Sequence, residues 1–462
     1  MTDPRRRVLC VAYFFPPLGG VSVARMVSLV RNLPAAGWEP VVVAPRGSAY
    51  PLRDPSGLTR VPDSVAVHRA ISPEPQSARQ AVGRALAGVK RFGAGFRQRV
   101  AAPPAGPRAQ GGGSGEPRHR APGRSPVSLA AIRRWLFFPD DQVLWLPFAV
   151  RAGRRIAREG RLDAIYSSAS PISGHLVAGV LHRLTGVPWV AEFRDPWIGN
   201  VLADKLPPIH RRLQRRLERW IVGSAARVVF LSAATEADYV RRYPSLAGRS
   251  VVVPNGYDAD DLGPPPARPP ETTPIRLVYT GTLDRPVEAA TFLAGLAELV
   301  RSRPEVAGNL TIDIVGHTSA EVAQLAAPYL ESTELRSILR FVPYAPRAEA
   351  LRYVREADAC LVLLGEEPGM SQFIPGKLFD YIGLDAPILA VVPPGEVSSL
   401  LDGLDWGVVV DPTTEGVVDG LERLLAGRYR TGRADREGIF ERRKLAIKLA
   451  SVLDEVAADA TS

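Results

Sequence analysis

Cysteine is nearly absent from this chain. The 462 residues include two cysteines, Cys10 and Cys360, and each lies inside an apolar run that predicts a buried strand. A disulfide framework and a cysteine-based zinc site are therefore excluded. The six histidines lack metal-ligand spacing, so no metal site is predicted. We expect a reducing, cytosolic setting.

Long hydrophobic runs are missing as well. No apolar stretch approaches the ~18–20 residues that a membrane span needs, and the first seven residues lead into a strand-like segment instead of a signal-peptide core. We therefore expect a cytoplasmic protein. Walker phosphate loops and the Gly-x-Ser-x-Gly elbow do not occur, which excludes P-loop enzymes and hydrolases of that type.

Lysine is scarce although the chain is basic. The formal net charge is +10, and the 58 basic residues are almost all arginine. This charge predicts an anionic partner, but its sign alone does not choose between nucleic acid, an acidic membrane surface and a phosphorylated substrate. The arginine-rich run at 211–220 has no aromatic platform or groove-reading helix beside it, so nucleic acid is not predicted.

Short apolar runs alternate with helical patterns along most of the chain, and this alternation starts afresh after a proline-rich stretch at 263–270. It predicts an α/β fold with two Rossmann-like βαβ domains that face each other across a cleft. The predicted divisions are an N-terminal domain at 1–262, a linker at 263–274, a C-terminal domain at 275–434 and a C-terminal helix within 435–462.

Residues 72–128 differ in composition from the rest, with much Pro, Gly, Ala and Arg. This insertion is predicted to be disordered, most clearly at 101–123. A basic helical pattern at 78–100 and aromatic segments at 133–138 and 145–148 predict peripheral binding to an anionic membrane. Packing of the aromatic segments inside the first domain explains them equally well.

Candidate site residues follow strands, where parallel sheets bind their ligands. Gly19 and Gly20 allow backbone N–H groups to approach an anion, although an ordinary βα turn also explains the pair. Arg194 and Asp195 end a buried strand and form either a functional pair or a satisfied structural one. Trp197 either stacks on an acceptor or fills the core.

The segment at 372–381 is the most informative motif. Pro375 is predicted at the first helical position, which places Lys377 and Asp380 three residues apart on one face. A cation near a helix N-terminus opposes the macrodipole, so Lys377 indicates an anionic ligand. The Asp380 carboxylate can accept two ribose or sugar hydroxyls. A solvated ion pair between the two side chains is the alternative.

In their order and spacing, these motifs resemble the GT-B glycosyltransferases of family 4. The resemblance covers nearly the whole chain except 72–128, and it rests on the loop at 16–20, the turn at 254–256, the strand ends at 279–281 and 315–316, and the segment at 375–381. It implies that the C-terminal domain holds a nucleotide-sugar donor and the N-terminal domain an acceptor. Transfer with retention would occur in the cleft, and the last helix, about 435–457, can cross back to the first domain.

The resemblance also implies roles for individual residues. Arg285 and Lys377 match the cation pair that holds the donor diphosphate, and Asp380 matches the carboxylate that binds the ribose. Gly19 and Gly20 match the loop that approaches phosphate or acceptor, with Trp197 on the acceptor side. The rest of the implied donor-binding set is Gly281, Thr282, Gly316, Val342, Gln372 and Pro375.

Two positions depart from the family pattern. Gln372 occupies the place of the first acid in the paired-glutamate motif, which leaves the donor sugar open. Arg194 stands where many members have a histidine. Either Arg194 or Asp195 therefore contacts the reacting sugar.

The implied chemistry requires neither a metal nor a cofactor, since the nucleotide sugar is a co-substrate. Negative charge develops on the departing β-phosphate, and Arg285, Lys377 and backbone N–H groups would stabilise it. The expected acceptor is a polysaccharide, a glycolipid or another lipid-linked acceptor, or a secondary metabolite. Two alternatives remain: a nucleotide-sugar 2-epimerase of the same architecture, and a non-catalytic scaffold that binds a membrane or partner through its basic insertion.

Overall fold

The computed structural model describes residues 5–46, 53–73, 137–199, 207–264, 266, 274–427 and 433–460. The predicted disordered insertion, apart from its first two residues, and the basic helical pattern at 78–100 lie outside the described residues. So do most of the predicted linker and residues 133–136 of the first aromatic segment.

Seven strands of the described chain form a parallel N-terminal sheet in the order β3-β2-β1-β4-β5-β6-β7. They are β1 Arg6–Val11, β2 Trp38–Arg46, β3 Ala66–Ile71, β4 Ala164–Ala169, β5 Trp189–Phe193, β6 Arg227–Phe230 and β7 Ser250–Val252. The strand order reverses between β1 and β4, so a crevice opens at their carboxyl ends.

Helices cover both faces of this sheet. Its helices are α1 Val21–Asn32, α2 Leu146–Glu159, α3 Ser173–Thr185, α4 Pro208–Ser224 and α5 Ala233–Arg242. The short helix α6 Ala259–Leu262 follows β7, and its Leu262 is buried in the core of the C-terminal domain. Helices α2 to α5 share one hydrophobic core with the sheet, and α1 lies in a second core on the other face. The strands are apolar on both sides because both faces are buried.

Six further strands of the described chain form a parallel C-terminal sheet in the order β10-β9-β8-β11-β12-β13. They are β8 Ile275–Thr280, β9 Leu310–Val315, β10 Leu339–Val342, β11 Ala359–Leu363, β12 Ile388–Val391 and β13 Val408–Val410. Its helices are α7 Pro286–Ser302, α8 Ala320–Ala326, α9 Thr333–Ile338, α10 Arg347–Glu356, α11 Gly376–Gly383, α12 Glu396–Leu404 and α13 Thr414–Leu425. The predicted fold class, two Rossmann-like domains, is confirmed.

Short 3₁₀ segments connect several of these elements. They are Leu33–Ala36, Pro55–Arg60, Val143–Trp145, Pro244–Leu246, Pro304–Gly308, Tyr329–Glu331 and Met370–Gln372.

The last helix, α14 Arg442–Asp459, packs on the N-terminal sheet although it follows the C-terminal domain in sequence. Leu445, Leu449 and Leu453 are buried in the same core as α1. The indole N–H of Trp38 donates to Asp454 at 3.1 Å, which ties the helix to β2. The two domains are therefore linked both by the segment after β7 and by this returning helix.

The structure corrects one local prediction and, for one residue, decides between two alternatives that the sequence left open. Helix α11 begins at Gly376, and Pro375 is its N-cap with an extended ψ of 137°. Its carbonyl accepts the N–H of Leu378 at 3.0 Å, which is what a capping residue does. In the second aromatic segment, Trp145 is fully buried and packs edge-on against Tyr13, so core packing explains this residue.

Candidate functional site

The cleft between the sheets contains a cavity of about 190 Å³ whose wall comes from both domains. Arg194 and Asp195, at the end of β5, line it from the N-terminal side, and Gln372 lines it from the C-terminal side. Ser22 and Arg25 of α1 also line the cavity, near the glycine loop. The structure thus brings together three side chains that the sequence placed in two separate motifs.

Lys377 lies at the carboxyl end of β8, beside this cavity. Its Nζ is 3.2 Å from the centroid of the Tyr279 ring, and it would be 3.7 Å from a β-carbon at Gly281. Burial lowers the pKa of Lys377 to about 7, although the carboxylates of Glu288 and Asp284 favour its charged form. An anion bound here would restore the charged ammonium.

Two glycines shape the backbone around Lys377. Gly281 and Gly316 have φ of +109° and +137°, which side chains other than glycine rarely adopt. A β-carbon at Gly316 would collide with the Gly281 carbonyl oxygen. The Gly316 N–H donates to Val342 at 3.0 Å, and Thr282 accepts the Tyr279 hydroxyl at 2.7 Å. The predicted donor-binding glycines, Thr282 and Val342 therefore lie together at one edge of the sheet.

Arg285 precedes α7 and reaches across to the segment before α11. Its Nη1 lies 2.8 Å from the Met370 sulfur, and its Nε is 3.8 Å from Glu288 Oε1. Burial raises the pKa of Glu288 to about 7. The hydrogen bond from the Gly365 N–H and the charge of Arg285 act in the opposite direction and lower it by less. Glu288 was not predicted as a site residue. Acids are common in the first turn of a helix because they interact favourably with the helix dipole, so its position alone does not indicate function.

Asp380 pairs with an arginine that the sequence analysis did not single out. Arg347, the first residue of α10, binds both Asp380 oxygens at 2.8 Å. The alternative of an ion pair between Lys377 and Asp380 is therefore wrong. A bidentate partner fixes the orientation of the carboxylate and leaves lone pairs for further donors. Basic residues are too frequent in this chain for Arg347 to have been recognised.

A buried ion pair between Arg25 and Glu192 lies beneath the cavity. Arg25 Nε and Nη2 donate to Glu192 Oε2 at 3.0 and 2.5 Å, and the Ser168 hydroxyl donates to Oε1 at 2.6 Å. Burial alone would raise the pKa of Glu192, but the charge of Arg25 and these hydrogen bonds outweigh it and hold the pKa below its usual value. Arg25 also donates to the carbonyls of Val253 and Pro254 at 3.0 and 2.7 Å. It therefore joins α1, β5 and the chain that leads to the second domain.

Arg194 makes its hydrogen bonds to neutral oxygens in the described part of the chain. Its Nη1 donates to the Ser168 hydroxyl at 3.2 Å and its Nη2 to the Ser170 carbonyl at 2.5 Å. Among the described residues, Arg194 and Asp195 do not form a direct ion pair. Burial lowers the pKa of Arg194, although the carboxylates of Glu192 and Asp195 favour its charged form.

The remaining predicted residues lie on the N-terminal side. Gly20 is the N-cap of α1 with φ of +106°, and Gly19 is buried in the turn before it. Trp197 packs partly buried against the N-terminal core, and its backbone N–H donates to the Tyr239 hydroxyl at 3.1 Å. The functional roles of all these residues stay predictions.

Two features are absent from the described residues. These residues include no cluster of three or more His, Cys, Asp or Glu side chains suited to a metal ion. No helix among them combines the length and the apolar character needed to cross a bilayer.

Comparisons with known proteins agree with this geometry. Residues 93–261 match the model described as Glycosyltransferase Family 4. D-inositol 3-phosphate glycosyltransferase of Kineococcus radiotolerans is 25% identical over 219 residues, which are 45% of this chain and 47% of that protein. The chain thus spans about half the length of this curated relative.

Solved structures match over almost the whole chain. Sucrose-phosphate synthase from Thermosynechococcus elongatus has a TM-score of 0.62 at 16% identity, covering 98% of this chain and 100% of that one. An E. coli trehalose-6-phosphate structure bound with UDP-2-fluoro glucose has a TM-score of 0.55 at 11% identity, covering 98% and 97%. These solved structures show that the chain has the GT-B fold. The resemblance to the family 4 glycosyltransferases is confirmed by the family model that matches residues 93–261.

Proposed function

We propose that this protein is a retaining, metal-independent glycosyltransferase that moves a sugar from a nucleoside-diphosphate sugar to an acceptor hydroxyl. The acceptor classes we propose are glycans, lipid-linked sugars and secondary metabolites. We propose a cytoplasmic location, which the buried free thiols of Cys10 and Cys360 favour. The position of Lys377 at the carboxyl end of β8, where it contacts Gly281 and Tyr279, is the observation that carries the proposal.

The donor diphosphate would bind between Lys377 and Arg285. Lys377 is partly buried, and burial lowers its pKa. A bound anion would favour the protonated ammonium and so restore the positive charge that pairs with it. Gly281 and Gly316 leave the backbone bare, so phosphate oxygens can approach closely. Asp380, oriented by Arg347, would accept the ribose hydroxyls.

The donor sugar would occupy the cavity that Gln372 shares with Arg194 and Asp195. The Gln372 amide can both donate to and accept from a sugar hydroxyl. The acceptor would enter from the side of Gly19, Gly20 and Trp197. In a front-face transfer the cations stabilise the departing diphosphate, so the step needs no enzymatic nucleophile.

The comparisons guide the choice of substrates to test. A similar structure was solved with UDP-2-fluoro glucose, and a curated relative is named for transfer to D-inositol 3-phosphate. UDP-sugars and phosphorylated polyols are therefore the first donors and acceptors that we would assay.

A thermal-shift screen tests the donor site. The purified protein is heated with UDP, GDP, ADP, dTDP and their sugar conjugates without added metal. A ligand at one hundred times its dissociation constant adds about 2.7 kcal/mol of stability. We expect one nucleotide to stabilise the wild type and the Lys448→Ala control, an exposed lysine on α14, but not the Lys377→Ala variant. No shift with any nucleotide, or an unchanged shift in Lys377→Ala, would refute the donor assignment.

Activity assays on the same purified protein distinguish sugar transfer from epimerisation. A transferase should consume the donor only with an acceptor present, apart from slow hydrolysis, and NMR of the product should show the donor's anomeric configuration. Rapid release of nucleotide and epimerised sugar without an acceptor would instead identify a 2-epimerase. An inverted product would refute retention.

A further inference from the structure

Helices α2, α3 and α4 lie side by side on one face of the N-terminal sheet. Their buried sides share one core, and their outer sides carry many exposed arginines. Among the described residues of these helices, the exposed arginines are Arg151, Arg154, Arg155, Arg158, Arg183, Arg212, Arg215, Arg216 and Arg219. We call this surface the arginine face.

The positive charge of the arginine face is almost unopposed. Glu159 is the one exposed acid of the three helices, and it pairs with Arg155 at 2.6 Å. Glu218, the acid of α4, is fully buried beneath Tyr239 and Tyr243, whose hydroxyls donate to it at 2.6 Å. Within the described part of the chain, the other arginines of this face have no carboxylate partner. Their charge therefore points to solvent or to an external anion.

Large apolar side chains are exposed at both ends of the same surface. Leu144 and Phe148 lie at the start of α2 with 40% and 38% exposure, and Ile209 lies at the start of α4 with 51%. Helices α2 and α4 lead into β4 and β6, so they begin at the carboxyl edge of the parallel sheet. These three residues therefore lie on the cleft side of the arginine face, whereas Leu184, which is 53% exposed, lies at the far end of α3 on the opposite side.

The opposite face of the domain differs in charge. Helix α14 exposes three basic residues, Arg443, Lys444 and Lys448, together with three acids, Asp454, Glu455 and Asp459. The acids also pair with arginines of the sheet, such as Arg227 with Asp459 at 3.3 Å. Positive charge is thus concentrated on one side of the domain.

We propose that the arginine face docks on an anionic lipid bilayer. Guanidinium groups bind lipid phosphates in a planar, bidentate manner, and a helix layer with basic and apolar side chains fits a headgroup surface. The exposed leucine, phenylalanine and isoleucine side chains favour lipid over nucleic acid, because a bilayer has an apolar acyl region into which they can insert. Docking in this orientation holds the cleft rim next to the headgroups, where a lipid-linked acceptor would be presented.

Vesicle flotation of the full chain tests the proposal. Vesicles of phosphatidylcholine with 30% phosphatidylglycerol are compared with pure phosphatidylcholine, in 0.1 M and 0.5 M NaCl. We expect binding to the anionic vesicles that weakens at high salt, because screening shortens the reach of the charges. Phe148→Ser should reduce the binding that persists at 0.5 M NaCl.

Matched charge variants locate the surface. Arg212→Gln/Arg215→Gln/Arg216→Gln removes three charges from the arginine face, and Arg443→Gln/Lys444→Gln/Lys448→Gln removes three from α14. Each arginine near an anionic bilayer contributes about fivefold in affinity, so the first variant should bind about a hundredfold more weakly. The second variant should bind within a few-fold of the wild type.

Three results would overturn the proposal. If the α4 variant bound vesicles as tightly as wild type, docking would use another surface. If both variants lost the same affinity, binding would depend on the net charge of the protein and not on the arginine face. Tighter binding to RNA or heparin than to anionic vesicles at equal salt would indicate a polyanion partner. The nucleotide thermal shift, measured on the same samples, reports separately on the donor site.

Discussion

Replacing Lys377 with methionine should stabilise the ligand-free protein and abolish its response to nucleotides. Methionine keeps the length and the apolar stem of the lysine but removes the ammonium that lies over the Tyr279 ring. Burial lowers the pKa of Lys377 from 10.5 to about 7, so the folded protein holds this charge less favourably than the unfolded chain does.

The size of the effect follows from the pKa. A shift from 10.5 to about 7 corresponds to about 5 kcal/mol if it is realised in full. Lys377 is only partly buried, so solvent screening reduces this figure, and the contact with Tyr279 offsets it by up to about 2 kcal/mol. About 2 kcal/mol then remains, which should raise the melting temperature of a domain of this size by about 4–8 °C.

The pH dependence provides the sharper assay. The cost of the charge is present in full below the folded pKa of about 7 and fades as pH rises towards 10.5, where the unfolded chain also loses its proton. The advantage of Lys377→Met over wild type should therefore be largest at pH 6–7 and small near pH 10. Lys448→Met, at an exposed site, is the control. The reasoning would be refuted if Lys377→Met were no more stable than wild type at pH 6.5. It would also be refuted if the gain in stability over wild type were the same at every pH.

Three further outcomes are expected. Nucleoside diphosphate binding at pH 8 should take up close to one proton as Lys377 regains its charge, measurable by calorimetry in buffers of different ionisation enthalpy; no buffer dependence would argue against this assignment. Gly316→Ala should destabilise the C-terminal domain by more than about 1 kcal/mol in urea, since a β-carbon meets the Gly281 carbonyl; a neutral result would mean that this loop adapts freely. Arg25→Met should cost about 3–5 kcal/mol by leaving Glu192 buried without its partner, and Arg25→Met/Glu192→Gln should recover much of that; an equally unstable double variant would contradict a charge effect.

Much of the architecture follows from local sequence patterns. Buried parallel strands are apolar throughout, so their runs and the intervening helical patterns predicted the two sheets confirmed here. The site's position was also predictable, because the order of a doubly wound sheet places ligands at the carboxyl ends of strands. Lys377 was recognised because a lysine at the start of a helix is unusual among so many arginines.

The partners of the charged side chains depended on the tertiary structure. Arg25 and Glu192 are separated by 167 residues, and Arg347 and Asp380 by 33, yet each pair is in direct contact. Arg194 bonds to Ser168 and Ser170 although its sequence neighbour is the acid Asp195. A side chain finds its partner on whichever element the sheet order and the domain packing place beside it. Residue type and spacing can therefore indicate that a charge will be used, while the three-dimensional fold determines which group it meets.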